Sequence, residues 1–131
     1  MKNKFLIILT YLIFFISNLS HSEQFEFEVS KIEIIENNII FASDGKATSK
    51  DKNIEIIGKN FEYNKILQTL DVSDGNIFFK TENIIITFEK TKIDEKNLLI
   101  IAEGDVRVND LNNDLVLKTE ILNFNRKNNI L

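Results

Sequence analysis

The chain has no cysteine, no proline and no tryptophan, and it has one histidine among 131 residues. Without cysteine it forms no disulfide and offers no thiolate metal ligand, thiol nucleophile or lipid-carrying thiol. The single histidine, His21, lies in the N-terminal leader, so the remainder cannot build a serine–histidine–aspartate device. Acidic residues are spread over turns and strands, and no pair stands out for acid–base catalysis. The sequence therefore predicts a protein that is not an enzyme.

The sequence also predicts no metal site and no cofactor. The segment Asp110–Asp114 is rich in oxygen ligands and superficially resembles the start of a calcium loop. Such a loop needs glycine at its sixth position and glutamate at its twelfth, where this chain has Leu115 and Ile121. A loop of ordinary turn-forming residues is the better interpretation of this segment.

A positively charged, apolar leader opens the chain. Two lysines precede an apolar run from Phe5 to Ile16, and the small residues Ser20 and Ser22 stand at the −3 and −1 positions of a cleavage site before Glu23. The run is shorter than the roughly 20 residues that a membrane-spanning helix needs. We predict a helical signal peptide over 1–22 and one exported domain over 23–131. An uncleaved N-terminal anchor is the alternative.

Charge argues against a nucleic-acid partner. The chain has 20 acidic and 16 basic residues, and two of the basic residues lie in the leader. Acids and bases are interleaved along the chain, without the clustered positive footprint that nucleic-acid binding requires. Most of these charges are therefore expected on a solvated β surface.

Apolar and polar residues alternate with a period of two along nearly all of the chain after the leader. Phe25, Phe27 and Val29 alternate with glutamates, and Ile84 and Ile86 form a similar run. Asparagine, aspartate, lysine and glycine separate these runs at intervals of about 8–12 residues. The pattern predicts an all-β sandwich, roll or barrel, with no helix after the leader.

Three glycines mark a repeated β unit. Gly45, Gly75 and Gly104 lie about 30 residues apart, and each follows a short apolar strand that ends in an acid. Such spacing predicts one supersecondary unit that stacks on its copies. Each glycine is either the turn of a two-residue hairpin or a bend within a strand. The bend is favoured, because every unit already contains a second turn signal.

The order of elements in this unit resembles a known family. A glycine, a short strand, a polar turn and a strand ending in aromatic-x-aromatic or apolar-x-aromatic follow one another from Gly45 through Phe61-Glu62-Tyr63 to Gly75. The order recurs from Gly104 to Leu122-Asn123-Phe124. This resembles the organic-solvent-tolerance N-terminal domain, which occurs in periplasmic lipopolysaccharide-transport proteins and in the outer-membrane lipopolysaccharide-assembly protein. The resemblance covers residues 25–131.

The resemblance implies an open twisted β-jelly roll built from stacked antiparallel hairpins. It also implies a periplasmic module that binds lipopolysaccharide or a similar amphiphile, shields its acyl chains and passes them toward the outer membrane. The expected location is the periplasm, with outer-membrane association as a further expectation. The expected protein partners are other β-jelly-roll transport proteins, joined head to tail by edge-strand pairing.

One face of the alternating strands supplies the candidate lipid-binding groove. The 11 phenylalanines of the whole chain favour a groove, although an ordinary closed core has the same alternation. The candidate lining residues are Phe41, Ile54, Ile56, Phe61, Tyr63, Ile77, Phe79, Ile84, Ile86, Phe88, Val106, Val108, Leu115, Leu117, Leu122 and Phe124. The alternative function is a secreted β-sandwich or β-solenoid that binds protein and has a closed core.

The strand at Phe25, Phe27 and Val29 is the candidate docking edge. It contains no proline that would block pairing, and unpaired backbone groups on such an edge accept a partner strand. The strands at 115–117 and 122–124 form the opposite end. Charges such as Glu26 favour the alternative, in which these edges remain monomeric.

Overall fold

Seven strands form one sheet in a computed structural model that describes residues 25–36 and 38–127. The strands are β1 Phe25–Ile35, β2 Ile39–Ser49, β3 Ile54–Asn64, β4 Thr69–Phe79, β5 Ile84–Asp94, β6 Leu99–Asp110 and β7 Leu115–Asn125. They pair antiparallel in chain order, and β1 and β7 are the two edges of an open sheet. The predicted all-β fold is confirmed, and the described residues contain no helix that could cross a membrane. The predicted signal peptide lies outside them.

Every strand bends near its middle. In β3 the buried positions are 54, 56 and 58 before the bend and 61 and 63 after it, so the alternation shifts by one residue. The bends divide each strand into two parts, which we call arm A and arm B. Arm A comprises 25–29, 45–49, 54–58, 75–79, 84–88, 106–110 and 115–119, and arm B comprises 31–35, 39–43, 60–64, 69–73, 90–94, 99–103 and 121–125.

The repeated glycines lie at these bends. Gly45 and Gly75 stand inside β2 and β4, directly after Asp44 and Asp74, which both have a φ of 50°. They are therefore bend residues and not hairpin turns. The third unit differs: Gly104 itself has a φ of 81°, and β6 has 12 residues where the other strands have 11. The register shifts there as in a β-bulge.

The sheet curls until its two arms face each other. The rings of Phe79 in β4 and Phe124 in β7 lie 5.6 Å apart, although these strands are three positions apart in the sheet. In a flat sheet they would be separated by roughly 14 Å. Phe25 in β1 meets Tyr63 in β3 in the same way, at 5.9 Å. Arm A of one strand therefore packs on arm B of a strand two or three positions further along.

The core lies between the two arms. Its largest fully buried side chains come from both of them: Tyr63, Phe61, Ile54, Ile56, Leu70, Ile77, Ile86, Ile93, Ile100 and Val106. No buried side-chain nitrogen or oxygen among the described residues lacks a hydrogen-bond partner. The interior is therefore apolar, and its few buried polar side-chain atoms are hydrogen-bonded.

Turns at the same end of the sheet are joined by main-chain hydrogen bonds. The amide of Lys80 donates to the carbonyl of Asn53 over 2.9 Å, which links the β2–β3 and β4–β5 turns. At the other end, the amide of Glu95 donates to the carbonyl of Gln68 over 3.0 Å. Alternate hairpins therefore stack through their turns as well as through their strands.

Asn53 ties two of these turns together through its side chain. Its Oδ1 accepts hydrogen bonds from both the amide and the hydroxyl of Thr81. We expect Asn53→Ala to lower the free energy of unfolding by about 1 kcal/mol, because both donors lose their acceptor. Urea denaturation measures this. Asn60→Ala is the control, since the Asn60 side chain makes one hydrogen bond, to the Ser73 hydroxyl, where that of Asn53 makes two. Equal losses in the two variants would contradict the prediction.

Candidate ligand-binding surfaces

Most of the predicted lining residues lie on the inner face of the curled sheet. They fall into three groups by exposure. Ile54, Ile56, Phe61, Tyr63, Ile77, Phe79, Ile86, Phe88, Val106 and Val108 are buried, Ile84, Leu122 and Phe124 are half-buried, and Phe41, Leu115 and Leu117 are exposed. The structure therefore brings the first two groups together in one core, which is closed along the middle of the sheet.

Phe41 does not belong to this set. It lies between Ile40 and Ala42, which both point inward and are buried, so its own side chain is on the outer face. It pairs with Glu62 of β3 and is 37% exposed. Phe41 therefore lies on the outer face, and its predicted place among the lining residues is wrong. The alternation is the reason, because a strand sends neighbouring side chains to opposite faces.

Several inner-face residues were not predicted. Ile40, Leu70, Val72, Ile93 and Ile100 are buried in arm B beside the predicted lining. They follow the same alternation as the predicted residues. The alternation of inward and outward side chains shifts by one residue at each bend. Continuing the alternation unchanged through the bend therefore assigns these residues to the outer face.

The inner face is exposed at the two ends of the sheet. At the β1 end, Ile32 and Ile34 of arm B are more than half exposed. At the β7 end, Leu115 and Leu117 of arm A are about half exposed. Both patches lack a facing arm. An arm is covered by a strand two or three positions away, and for each patch that position lies beyond the edge of the seven-stranded sheet. We call these patches the β1 end and the β7 end.

The candidate docking strand is an edge of the sheet, as predicted. Phe25 is buried against Tyr63, whereas Phe27 and Val29 are half-buried. Glu26 and Glu28 on its opposite face contact lysines, and Glu28 lies 3.5 Å from the amine of Lys46. The backbone of β1 pairs only with β2 among the described residues, so its other side is open for pairing.

A groove runs across the outer face of arm B, next to the bends. It consists of two adjoining cavities of about 250 Å³ each, which share Asp71, Lys90 and Thr91. The remaining lining residues are Phe41, Asn60, Phe61, Glu62, Val72, Ser73, Lys92, Ile101 and Glu103. Burial raises the pKa of Asp71, and the Lys92 amine, 3.9 Å away, opposes that rise. We call this feature the outer groove.

An ion pair lies where the ends of the two arms approach each other. Nη1 of Arg126 contacts Oε1 of Glu95 at 3.1 Å, and the Glu95 side chain is only 12% exposed. Burial raises the pKa of Glu95, and the Arg126 charge opposes that rise. A hydrogen bond from Ser49 lowers the pKa of nearby Asp51, with a smaller contribution from Arg126. The ion pair therefore links the turn after β5 to the residue that follows β7.

No protein-family model matches the chain, and no curated protein sequence or solved structure is significantly similar to it. Its function is therefore inferred from its own surfaces.

Proposed function

We propose that the chain is a periplasmic module that binds lipopolysaccharide or a similar amphiphile on the inner face of an open, twisted β-jelly roll. One observation carries the proposal. The apolar inner face does not stop at the closed core but continues into exposed patches at both ends of the sheet, including Leu115 and Leu117. Apolar surface left in water at the ends of a continuous apolar interior is suited to receiving an acyl chain.

The energetics of acyl transfer fit this surface. Each methylene taken out of water contributes about 0.8 kcal/mol, so a long acyl chain gains considerably from a protein lining. Side chains such as Ile56 and Tyr63 fill the middle of the roll. An acyl chain therefore enters at an end patch and reaches further only where the arms separate. The backbone stays paired in the sheet throughout, so opening leaves no buried polar group unsatisfied.

The same geometry supports partners of the same fold. Within the chain, arm A of β1 packs on arm B of β3, and arm A of β4 packs on arm B of β7. The β7 end presents an uncovered arm A, and the β1 end presents an uncovered arm B. A second roll placed head to tail brings these two patches together and extends the apolar interior across the junction. Edge-strand pairing through β1 then serves to dock the rolls.

Photo-crosslinking in cells that make lipopolysaccharide tests the lipid proposal. A crosslinker at Leu117 is expected to form lipopolysaccharide adducts, because Leu117 pairs with buried Val108 on the inner face. A crosslinker at Val116 is the matched control. It is 55% exposed against 46% for Leu117, but it points to the outer face and is expected to give none. Equal labelling at the two positions, or none at Leu117, would count against the proposal.

The alternative function is a protein-interaction module with a closed core. Complete burial of residues such as Ile54 and Tyr63 favours it. In that case a crosslinker at Phe88 forms adducts only within the chain, and a crosslinker at Leu117 captures protein and no lipid.

A further inference from the structure

The outer groove carries an ordered row of side chains across five strands. Phe41, Glu62, Asp71, Lys92 and Ile101 are successive cross-strand partners from β2 to β6. Neighbours in such a row have Cβ atoms about 5 Å apart, so the row is roughly 19 Å long. This length and the two adjoining cavities suit a ligand of a few rings better than a single ion.

The charges along the groove exclude strongly charged ligands. Glu62 and Asp71 follow each other in the row, and Lys92 comes next. Lys90 and Glu103, which are also partners, line the same groove. An anion would meet the carboxylates and a cation would meet the amines. A neutral ligand with many hydroxyl groups can donate to the first and accept from the second.

An aromatic ring stands at one end of the row. Phe41 is 37% exposed, more than any other aromatic side chain among residues 25–36 and 38–127. The C–H face of a pyranose ring packs on such an exposed aromatic surface, because both surfaces are apolar. Beside it, the half-exposed Asp71 and Lys92 lie 3.9 Å apart, so neither is held in a short ion pair that a hydroxyl would have to displace.

We propose that the outer groove binds a neutral saccharide, with one sugar ring on Phe41 and hydroxyl groups on Glu62, Asp71 and Lys92. This site is on the opposite face of the sheet from the proposed acyl-binding surface. It does not depend on that function, and either site can exist without the other.

Nuclear magnetic resonance titration of the full chain tests the saccharide site. The probes are the neutral disaccharide N,N′-diacetylchitobiose, anionic glucose 6-phosphate and cationic glucosamine. The neutral probe is expected to shift the backbone amides of Phe41, Glu62, Asp71 and Lys92 and to saturate. The charged probes are expected to bind those positions at least tenfold more weakly. No saturable shift, or equal binding of all three probes, would overturn the proposal.

Variants of the groove complete the test. Phe41→Ala and Asp71→Asn are each expected to weaken binding of the neutral probe about tenfold. Phe78→Ala is the control, because Phe78 is a half-buried aromatic on the outer face of the other arm. Melting curves verify that each variant is folded. Wild-type affinity in a folded Phe41→Ala variant overturns the proposal, whereas lipid crosslinking at Leu117 reports only on the acyl site.

Discussion

Replacing Gly75 with alanine is expected to lower the free energy of unfolding by about 3 kcal/mol or more, at the upper end of overpacking effects. A Cβ at this position would lie 1.8 Å from the carbonyl oxygen of Ile57 and 2.8 Å from the Cα of Gly58. These are backbone atoms of the neighbouring strand, so no side-chain rotation relieves the clash. β3 and β4 would have to separate at the bend, with loss of ladder hydrogen bonds. Urea denaturation of the variant measures the loss.

Two further substitutions at the bends distinguish this clash from a general sensitivity. A Cβ at Gly104 would have no backbone atom among its three nearest neighbours, but it would lie 2.7 Å from the Cβ of Glu89. Gly104→Ala is therefore expected to cost about 2 kcal/mol, for this contact and for its φ of 81°, and less than Gly75→Ala. Asp74→Gly removes the side chain from a residue with a φ of 50° and is expected to stay within about 1 kcal/mol of wild type. Similar losses in all three variants would mean that close strand approach is not the cause.

Replacing Arg126 with methionine is expected to cost about 2 kcal/mol at neutral pH. The substitution keeps most of the apolar stem but removes the charge that contacts Glu95, whose side chain is only 12% exposed. The carboxylate is then left largely buried and without its cation. Asp51 adds to the penalty, because its charge also raises the pKa of Glu95.

The loss from Arg126→Met is expected to depend on pH. Burial already raises the pKa of Glu95, and removal of Arg126 takes away an interaction that lowers it. A carboxyl group whose pKa is higher in the folded chain than in the unfolded chain lowers the free energy of unfolding when it is ionised. This loss is complete above the folded pKa, shrinks as the pH falls through that pKa, and is gone below the unfolded pKa. The difference in unfolding free energy between variant and wild type should therefore shrink from pH 7 toward about pH 4.

A double-mutant cycle assigns this effect to the pair. Glu95→Gln removes one titrating group, so Arg126→Met in that background is expected to show a smaller loss with a weaker dependence on pH. The remaining dependence comes from Asp51, whose pKa Arg126 also lowers. A deficit of Arg126→Met that stays constant across the pH range in the wild-type background would falsify this account. It would indicate that packing of the arginine stem, and not its charge, stabilises this end of the sheet.

The sequence predicts the strands of this fold well and their curvature poorly. Alternation of residues such as Ile84 and Ile86 marks strands wherever one face is buried, and Gly45 and Gly75 mark the bends. The shift of phase at each bend is a property of the three-dimensional path, so Phe41 is assigned to the wrong face and Leu70 is missed. Contacts between strands two or three positions apart leave no signal in local periodicity.

Surface sites were harder still to predict. Phe41 and Lys92 line one groove because five strands stand in a particular register, and register is set by turn geometry as well as by apolar pattern. The exposed β7 end is predictable only in part. The apolar character of Leu115 and Leu117 is visible in the sequence, but their exposure follows from the curl, which determines which arm has no cover.

The odd number of strands determines how such a roll could grow. β1 and β7 both run from arm A to arm B, so they point in the same direction. If β1 of a second copy pairs with β7 and the arms of the two copies are aligned, these two strands are parallel. Every pair within the described sheet is antiparallel. Parallel ladders have slanted hydrogen bonds and are slightly less stable per residue. In a filament of these rolls, each joint would be the point at which tension or dilution breaks the chain of subunits first.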